Sequence, residues 1–168
     1  MAFWSSISAG TGHSCGIRGG ATAVCWGDSG FGVLNVPVGS YSQVSAGQTH
    51  TCGIRTDTTA VCWGSNSEGQ ASPPSGSFSQ VSAGNFHSCG VKADGTLACW
   101  GRNAAGQASP PGGAFRQVSA ATIHSCGVRT DGSVACWGNN VYGQGSPPGG
   151  AFIEVSAGHT HTCGVRTD

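Results

Sequence analysis

A 37-residue repeat runs through this sequence and constrains its fold more than any other feature. Cysteines recur with that step at positions 15, 52, 89, 126 and 163, and a histidine precedes each by two residues. A second cysteine series and a tryptophan series keep the same step. Such a fixed period is typical of solenoids, propellers and other arrays. The sequence therefore predicts one repeat domain, 1–168, with units 4–40, 41–77, 78–114 and 115–151 and a partial unit 152–168.

Each unit has the pattern of several short strands. In the third unit "FSQVSAG" alternates, "HSCGVKA" and "TLACWG" suit a hairpin, and "GQASPPGG" is extended, with prolines that suit an edge or a loop. No helical period of 3.6 persists along the chain. We therefore predict an all-β fold, a β-propeller-type array of four-stranded blades with four and a half repeats.

The two cysteines of a unit are separated by nine residues, and the segment between them resembles a hairpin. If Thr130, Asp131 and Gly132 form a three-residue loop with a left-handed glycine, Cys126 faces Cys136 across the two strands. A two-residue turn would set Cys126 opposite Trp137 instead. The first register predicts four hairpin disulfides: Cys15 with Cys25, Cys52 with Cys62, Cys89 with Cys99, and Cys126 with Cys136.

Such disulfides persist in oxidising compartments, so we predict an extracellular or periplasmic protein. Reduced structural thiols are the alternative. The repeated H-x-C motif also raises the question of a metal site, because residues two apart on a strand share a face. No C-x2-C motif is present, and a histidine packed beside a disulfide and hydrogen-bonded to backbone explains the repeat, so no metal or cofactor is predicted.

The chain has 7 basic and 7 acidic residues and a formal net charge of zero. Without a basic excess, nucleic acid is excluded as an expected partner. No apolar run approaches the roughly 20 residues that span a membrane, and the first ten residues lack the pattern of a signal peptide. We therefore expect neither nucleic-acid binding nor a membrane span.

Catalysis requires unlike reactive groups brought together, whereas the polar residues here are mostly copies of one another. Five of the seven bases occupy one repeat position, and four of the seven acids follow two residues later. This R-x-D repeat fits a solvated hairpin tip, the alternative being a ring of bases for an anionic partner. Only Asp28, Glu68 and Glu154 lie outside the acid series. We predict that the protein is not an enzyme.

Function in a repeat protein is expected where the copies differ, and two windows differ most. The first follows "SAG" in each unit and the second follows "WG"; both suit binding loops on a rigid frame. The predicted partner-binding residues are four exposed apolar anchors and two rim charges: Phe31, Phe86, Ile123, Tyr142, Glu68 and Arg102. The alternative is that these loops vary without a function.

The patterns "SAGxxHSCGV" and "DGxxxCWGxN", with "GQ" before a proline pair, resemble the regulator of chromosome condensation repeat in the cysteine-bearing form found in bacterial secreted proteins. The resemblance covers the whole chain. It implies a propeller of four-stranded blades, usually seven, which would need about 259 residues. Relatives in this family include an exchange factor for a small GTPase and a β-lactamase inhibitor that binds protein through one propeller face.

The partial fifth unit lacks the strand with the second cysteine, which leaves Cys163 unpaired within its unit. Three explanations stay open at this point. The chain is a fragment of a longer propeller, or it closes as a small ring, or copies join end to end through the half-blade and the segment "MAFWSSIS". The expected function is protein interaction through one face, with self-assembly as a homo-oligomer and carbohydrate binding as alternatives.

Overall fold

The computed structural model describes residues 3–168, and its strands follow the repeat. Five antiparallel sheets occur in chain order, three-stranded in the first four units and two-stranded in the fifth. The strands are β1 (Trp4–Ala9), β2 (His13–Arg18), β3 (Thr22–Gly27), β4 (Tyr41–Ala46), β5 (His50–Arg55), β6 (Ala60–Gly64), β7 (Phe78–Ala83), β8 (His87–Lys92), β9 (Leu97–Gly101), β10 (Phe115–Ala120), β11 (His124–Arg129), β12 (Val134–Gly138), β13 (Phe152–Ala157) and β14 (Thr162–Arg166).

The propeller-type array of repeated sheets is confirmed, but each complete sheet has three strands where the sequence predicts four. The segment expected to form the fourth strand is a loop, with a single isolated bridge between Thr59 and Ser77 in the second unit. Its proline pair has no N–H groups for a strand ladder. Gly76 then takes a positive φ of 132°, which ends the extended run.

The middle hairpin of each unit has the register in which cysteine faces cysteine. Cys126 lies opposite Cys136, and Gly132 takes a φ of 88° in the three-residue loop. The same alignment repeats in the other complete units, and the four pairs are bonded with S–S distances between 2.01 and 2.07 Å. Cys163 is free and exposed.

The hydrophobic core lies between consecutive units. One buried cluster joins Cys52 and Ile54 of the second unit to Phe78 and Val81 of the third. The glycine after the first cysteine of each pair leaves room for the aromatic residue that begins its unit, because a Cβ added to Gly90 would lie 2.6 Å from the Phe78 ring. Each unit therefore completes the core of its neighbour, as expected of a repeat array.

Polar side chains also join neighbouring units. The amide of Gln80 donates to the Val118 carbonyl at 3.0 Å and accepts from the Val118 N–H at 2.7 Å, as a neighbouring strand would. Gln43 and Gln117 repeat this two-way contact with the next unit. These bonds satisfy backbone groups that the gap between sheets would otherwise leave unpaired.

The buried histidines also contact the next unit. His50 Nε2 lies 2.7 Å from the Ser88 hydroxyl, and His87 Nε2 lies 2.7 Å from the Ser125 hydroxyl. The expected backbone partner was therefore wrong, since the partner is a side chain of the following unit. Among residues 3–168 no group of three or more His, Cys, Asp or Glu side chains could hold a metal ion. No helix in the same range is long and apolar enough to cross a membrane.

Thr58 occupies the left-handed position that glycine fills in the third and fourth hairpins, with a φ of 71°. A β-branched residue is strained there. We expect Thr58→Gly to raise the free energy of unfolding by about 0.5–1 kcal/mol, since relief of strain exceeds the extra unfolded-state entropy of glycine. Urea denaturation under oxidising conditions measures this. Gly95→Thr is the matched reverse change and should destabilise; a lower midpoint for Thr58→Gly would contradict the strain.

Candidate functional site

Strand pairing brings the two variable windows of each unit to the same end of its sheet. The first window joins the first and second strands, and the second window follows the third strand. His50, at the start of β5, pairs with Gly64, at the end of β6, so the two windows are adjacent. We call the surface formed by all of these loops the loop face. The R-x-D hairpin tips lie at the other end of the strands, which we call the opposite face.

Backbone hydrogen bonds tie the two windows of a unit together. The Arg102 N–H donates to the Phe86 carbonyl at 2.9 Å, and the Asn139 N–H donates to the Ile123 carbonyl at 2.9 Å. The loop face is therefore fixed by the sheets beneath it and does not depend on long mobile loops.

All six predicted partner-binding residues lie on the loop face, but their exposure differs. Phe31 and Tyr142 have 70% and 72% of their surface exposed. Phe86 and Ile123 are half-buried, and the charges of Glu68 and Arg102 are exposed. The Arg102 guanidinium lies 5.8 Å from the centre of the Phe86 ring, within cation–π range.

Buried glutamines shape the second window in units two to four. Gln70 Oε1 accepts from the Glu68 N–H at 2.8 Å, and Gln107 and Gln144 make the same contact with Ala105 and Tyr142. All three glutamine side chains are buried. The glutamine amide stabilises each of these loops from the inside, and an asparagine side chain, Asn66 in the second unit, adds a bond from the Ala71 N–H at 2.9 Å.

The first unit departs from this arrangement because Val33 occupies the glutamine position. Val33 has no side-chain acceptor, and the loop forms a 3-10 turn over Gly30–Gly32 in which Asp28 Oδ1 accepts from the Gly30 N–H at 2.9 Å. Phe31 takes a φ of 58°, unusual for a bulky residue. Its ring lines a cavity of about 200 Å³ together with Asp28, Gln48 and Thr49.

The ends of the first strands meet around a second cavity, of about 450 Å³, that collects small and polar residues from all five units. Its polar side chains occupy one repeat position: Thr11, Gln48, Asn85, Thr122 and His159. The N–H of Gln48 donates to the Gly84 carbonyl at 3.2 Å and so joins neighbouring loops. The Gln48 Oε1 atom is buried and has no hydrogen-bond partner.

The R-x-D residues stabilise the opposite face. Asp94 Oδ1 accepts from the N–H and the hydroxyl of Thr96, and these bonds hold the pKa of Asp94 below its usual range. The Arg129 guanidinium stacks on the Phe115 ring at 4.7 Å and donates to the Gly112 carbonyl. Turn formation and packing account for these residues, as the hairpin-tip interpretation expects.

Asp28 and Gln48 lie in the two variable windows but are not among the six predicted partner-binding residues, and Val33 lies outside both windows. A signal for them is the loss of the "GQ" and proline-pair pattern in the first unit, where the sequence reads "GFGVLNVPVG". The cavity itself was not predictable from one unit, because Asp28 and Phe31 come from the first unit and Gln48 and Thr49 from the second.

The sequence matches the family description "Regulator of chromosome condensation (RCC1) repeat" over residues 41–70, 78–107 and 115–144. The chain belongs to the RCC1 repeat family. No curated protein sequence matches it at a significant level.

Solved structures place the chain among RCC1-type propellers. The ectodomain of the receptor kinase CR4 from Physcomitrella patens is 28% identical, with a TM-score of 0.83; the match covers 99% of this chain and 48% of that one. The CRINKLY WD40 ectodomain of the Arabidopsis thaliana receptor kinase ACR4 is 29% identical, with a TM-score of 0.81 and coverages of 99% and 60%.

Prp20p from Saccharomyces cerevisiae, whose binding to Gsp1p and histones has been described, shares the fold at 16% identity and a TM-score of 0.85, with coverages of 99% and 56%. The chain thus spans about half of the length of the solved chains that it matches.

Proposed function

We propose that this RCC1-repeat domain binds another protein through the loop face and has no catalytic role. The observation that carries the proposal is the exposure of Phe31 and Tyr142, large apolar side chains that rigid loops display on one face. Exposed aromatic anchors on a preformed surface are typical of protein interfaces. Glu68 and Arg102 provide exposed charges on the same face, in the second and third units.

Binding to protein also agrees with what is described for structural relatives. Prp20p binds Gsp1p and histones, and Kap60 has been seen bound to it. The sequence identities of 16% and 18% show that these proteins share the fold of our chain. A shared fold does not identify the partner of this chain.

The titratable groups support a binding role over a catalytic one. The histidines at positions 50, 87 and 124 are buried between units, and each is bonded to a hydroxyl of the next unit. Asp57, Asp94 and Asp131 are engaged in hairpin turns of the opposite face. These groups have structural roles and do not converge on one cavity with a nucleophile.

We further propose an extracellular or periplasmic location. Four disulfides support it, because such bonds are maintained in oxidising compartments. Two of the solved relatives are ectodomains of receptor kinases. Self-assembly as a homo-oligomer and carbohydrate binding stay predictions from the sequence, since no contact described above favours either of them.

The test compares matched surface variants in partner binding. Phe31→Ser with Tyr142→Ser removes both exposed anchors of the loop face, and Val38→Ser removes an apolar side chain that is 97% exposed on the opposite face. Secreted proteins of the source organism are captured on each variant, and every captured protein is then purified for measurement of its Kd. We expect the double variant to lose at least tenfold in affinity, while Val38→Ser and the thermal stability of all variants stay unchanged.

Equal affinity of the double variant and the unmodified domain would contradict the proposal. So would a partner that loses affinity only with Val38→Ser, since that result would assign binding to the opposite face.

A further inference from the structure

The cavity beneath Phe31 combines groups that accept hydrogen bonds with an aromatic ring. Asp28 and Thr49 contribute a carboxylate and a hydroxyl, Gln48 contributes an amide, and Phe31 lies at the cavity with 70% of its surface exposed. The cavity occurs at the junction of the first two units, where the loop differs from the other complete units.

The Asp28 carboxylate lacks a partner that would neutralise its charge, and Gln48, which lines both this cavity and the second one, has an oxygen atom without a hydrogen-bond donor. Within residues 3–168 the one ion pair joins Arg166 and Asp168, so the Asp28 carboxylate has no basic partner there. Its Oδ1 atom accepts from Gly30, which leaves Oδ2 available. Gln48 Oε1 is buried without a hydrogen-bond partner, and such an atom is unfavourable unless a donor reaches it.

The charges near the cavity favour a cationic ligand. Arg18 and Arg55, the bases of the first two units, occupy the hairpin tips of the opposite face, whereas Asp28 and Glu68 lie on the loop face. The remaining titratable group of the lining is His13, which is buried, and burial lowers its pKa while the nearby Asp28 opposes that shift. At neutral pH the cavity is therefore negatively charged.

The geometry points to a pocket for an arginine or lysine side chain of the protein partner, held by Asp28, Gln48 and the ring of Phe31. A guanidinium or ammonium group provides several donors and no acceptor, which matches the free Oδ2 of the Asp28 carboxylate. It also gains a charge-assisted bond from the carboxylate and a cation–π contact from the ring. This inference rests on the proposed function, because the cation belongs to a protein bound at the loop face.

The strained backbone of the first unit agrees with a binding role. Phe31 at a φ of 58° is followed by Gly32 at 75°, whereas in the corresponding loop of the second unit, residues 65–70, the left-handed residue is a glycine, Gly69, with a φ of 81°. Strain of this kind persists where the surrounding structure fixes it, and it is concentrated at ligand sites. Here the strained residue is one of those that line the cavity.

The test uses N-acetyl-arginine N-methylamide as the probe and the citrulline analogue as a neutral probe of the same shape. Each is titrated into the ¹⁵N-labelled domain, and the backbone amides of Gly30, Phe31 and Thr49 are followed by NMR. We expect saturable shifts with the arginine probe, at a Kd on the order of 1 mM, and none with citrulline. Asp28→Asn keeps an oxygen for the Gly30 N–H and should weaken binding at least fivefold; Gln48→Ala should weaken it less.

Glu68→Gln is the control for general electrostatic attraction, because it removes an acid of the same face that does not line the cavity. Equal loss in Asp28→Asn and Glu68→Gln would overturn the pocket, as would equal binding of citrulline or the absence of shifts with the arginine probe. With the purified partner, an unchanged Kd for Asp28→Asn alongside a weakened Kd for Tyr142→Ser would refute this pocket and keep the proposed function. If the Kd for the partner is unchanged in both Asp28→Asn and Tyr142→Ser, the proposed function is refuted as well.

Discussion

Reduction of the four hairpin disulfides is expected to unfold the domain at room temperature. Each bond joins cysteines separated by 10 positions. Closing a loop of that size restricts the unfolded chain enough to stabilise the fold by about 3 kcal/mol. Four such contributions, about 12 kcal/mol together, are comparable with the whole net stability of a domain, which is about 5–15 kcal/mol.

Far-UV circular dichroism and urea denaturation, with and without a phosphine reductant, measure this effect. The experiment is best made in a Cys163→Ser background, since the free thiol of Cys163 could otherwise exchange with the hairpin bonds. That substitution alone should leave the four disulfides and the urea midpoint unchanged. A reduced domain that keeps its cooperative transition within about 2 kcal/mol of the oxidised one would contradict the estimate.

The hairpins were predictable because their signals are local. The spacing of Cys126 and Cys136 and the turn residues between them fix the register. The absence of a fourth strand also has a local cause, because the proline pair has no N–H groups for a strand ladder.

Contacts between units were harder to predict, because they depend on the distance between sheets. Gln80 resembles an ordinary polar strand residue, yet its amide pairs with the backbone of Val118, 38 residues away. The exposure of side chains on the loop face was also hard to predict, because it depends on contacts in the folded domain. Tyr142 is exposed, whereas Phe86 is half-buried, with the Arg102 guanidinium 5.8 Å from the centre of its ring.

Acidification is expected to destabilise the domain strongly between pH 6.5 and 4.5 because of the buried histidines. Burial, with a smaller contribution from neighbouring histidines, lowers the pKa of His50 and of His87 from 6.5 to about 4. In this window the unfolded chain binds protons that the folded domain does not, so stability falls as the pH falls. The gap between the two pKa values corresponds to about 3 kcal/mol for each histidine over the full range.

The hydrogen bonds of these histidines explain why the protonated imidazolium form is unfavourable in the folded domain. The Ser88 hydroxyl donates to the Gln70 carbonyl, so it accepts from His50 Nε2, which must carry the ring proton. His50 Nδ1 is then the atom that would gain the second proton, and it is buried with no hydrogen-bond partner. His87 has the same arrangement with Ser125. A charged imidazolium would thus place an unpaired donor between two units.

Urea denaturation at half-unit steps from pH 7.5 to 4.5 gives the pH profile of the unfolding free energy. This range stays above the usual pKa of the aspartates, so their lowered values contribute little to the slope. His87→Gln keeps a donor toward Ser125 and should flatten the profile by less than half, because His13, His50 and His124 also have a lowered pKa. His159→Gln, which replaces an exposed histidine, is the matched control. If His87→Gln is too unstable to measure, the imidazole ¹H shifts of the unmodified domain decide the point. Titration of His50 and His87 near pH 6.5 in the folded state would contradict the expected loss, because folding would then bind protons no differently from the unfolded chain.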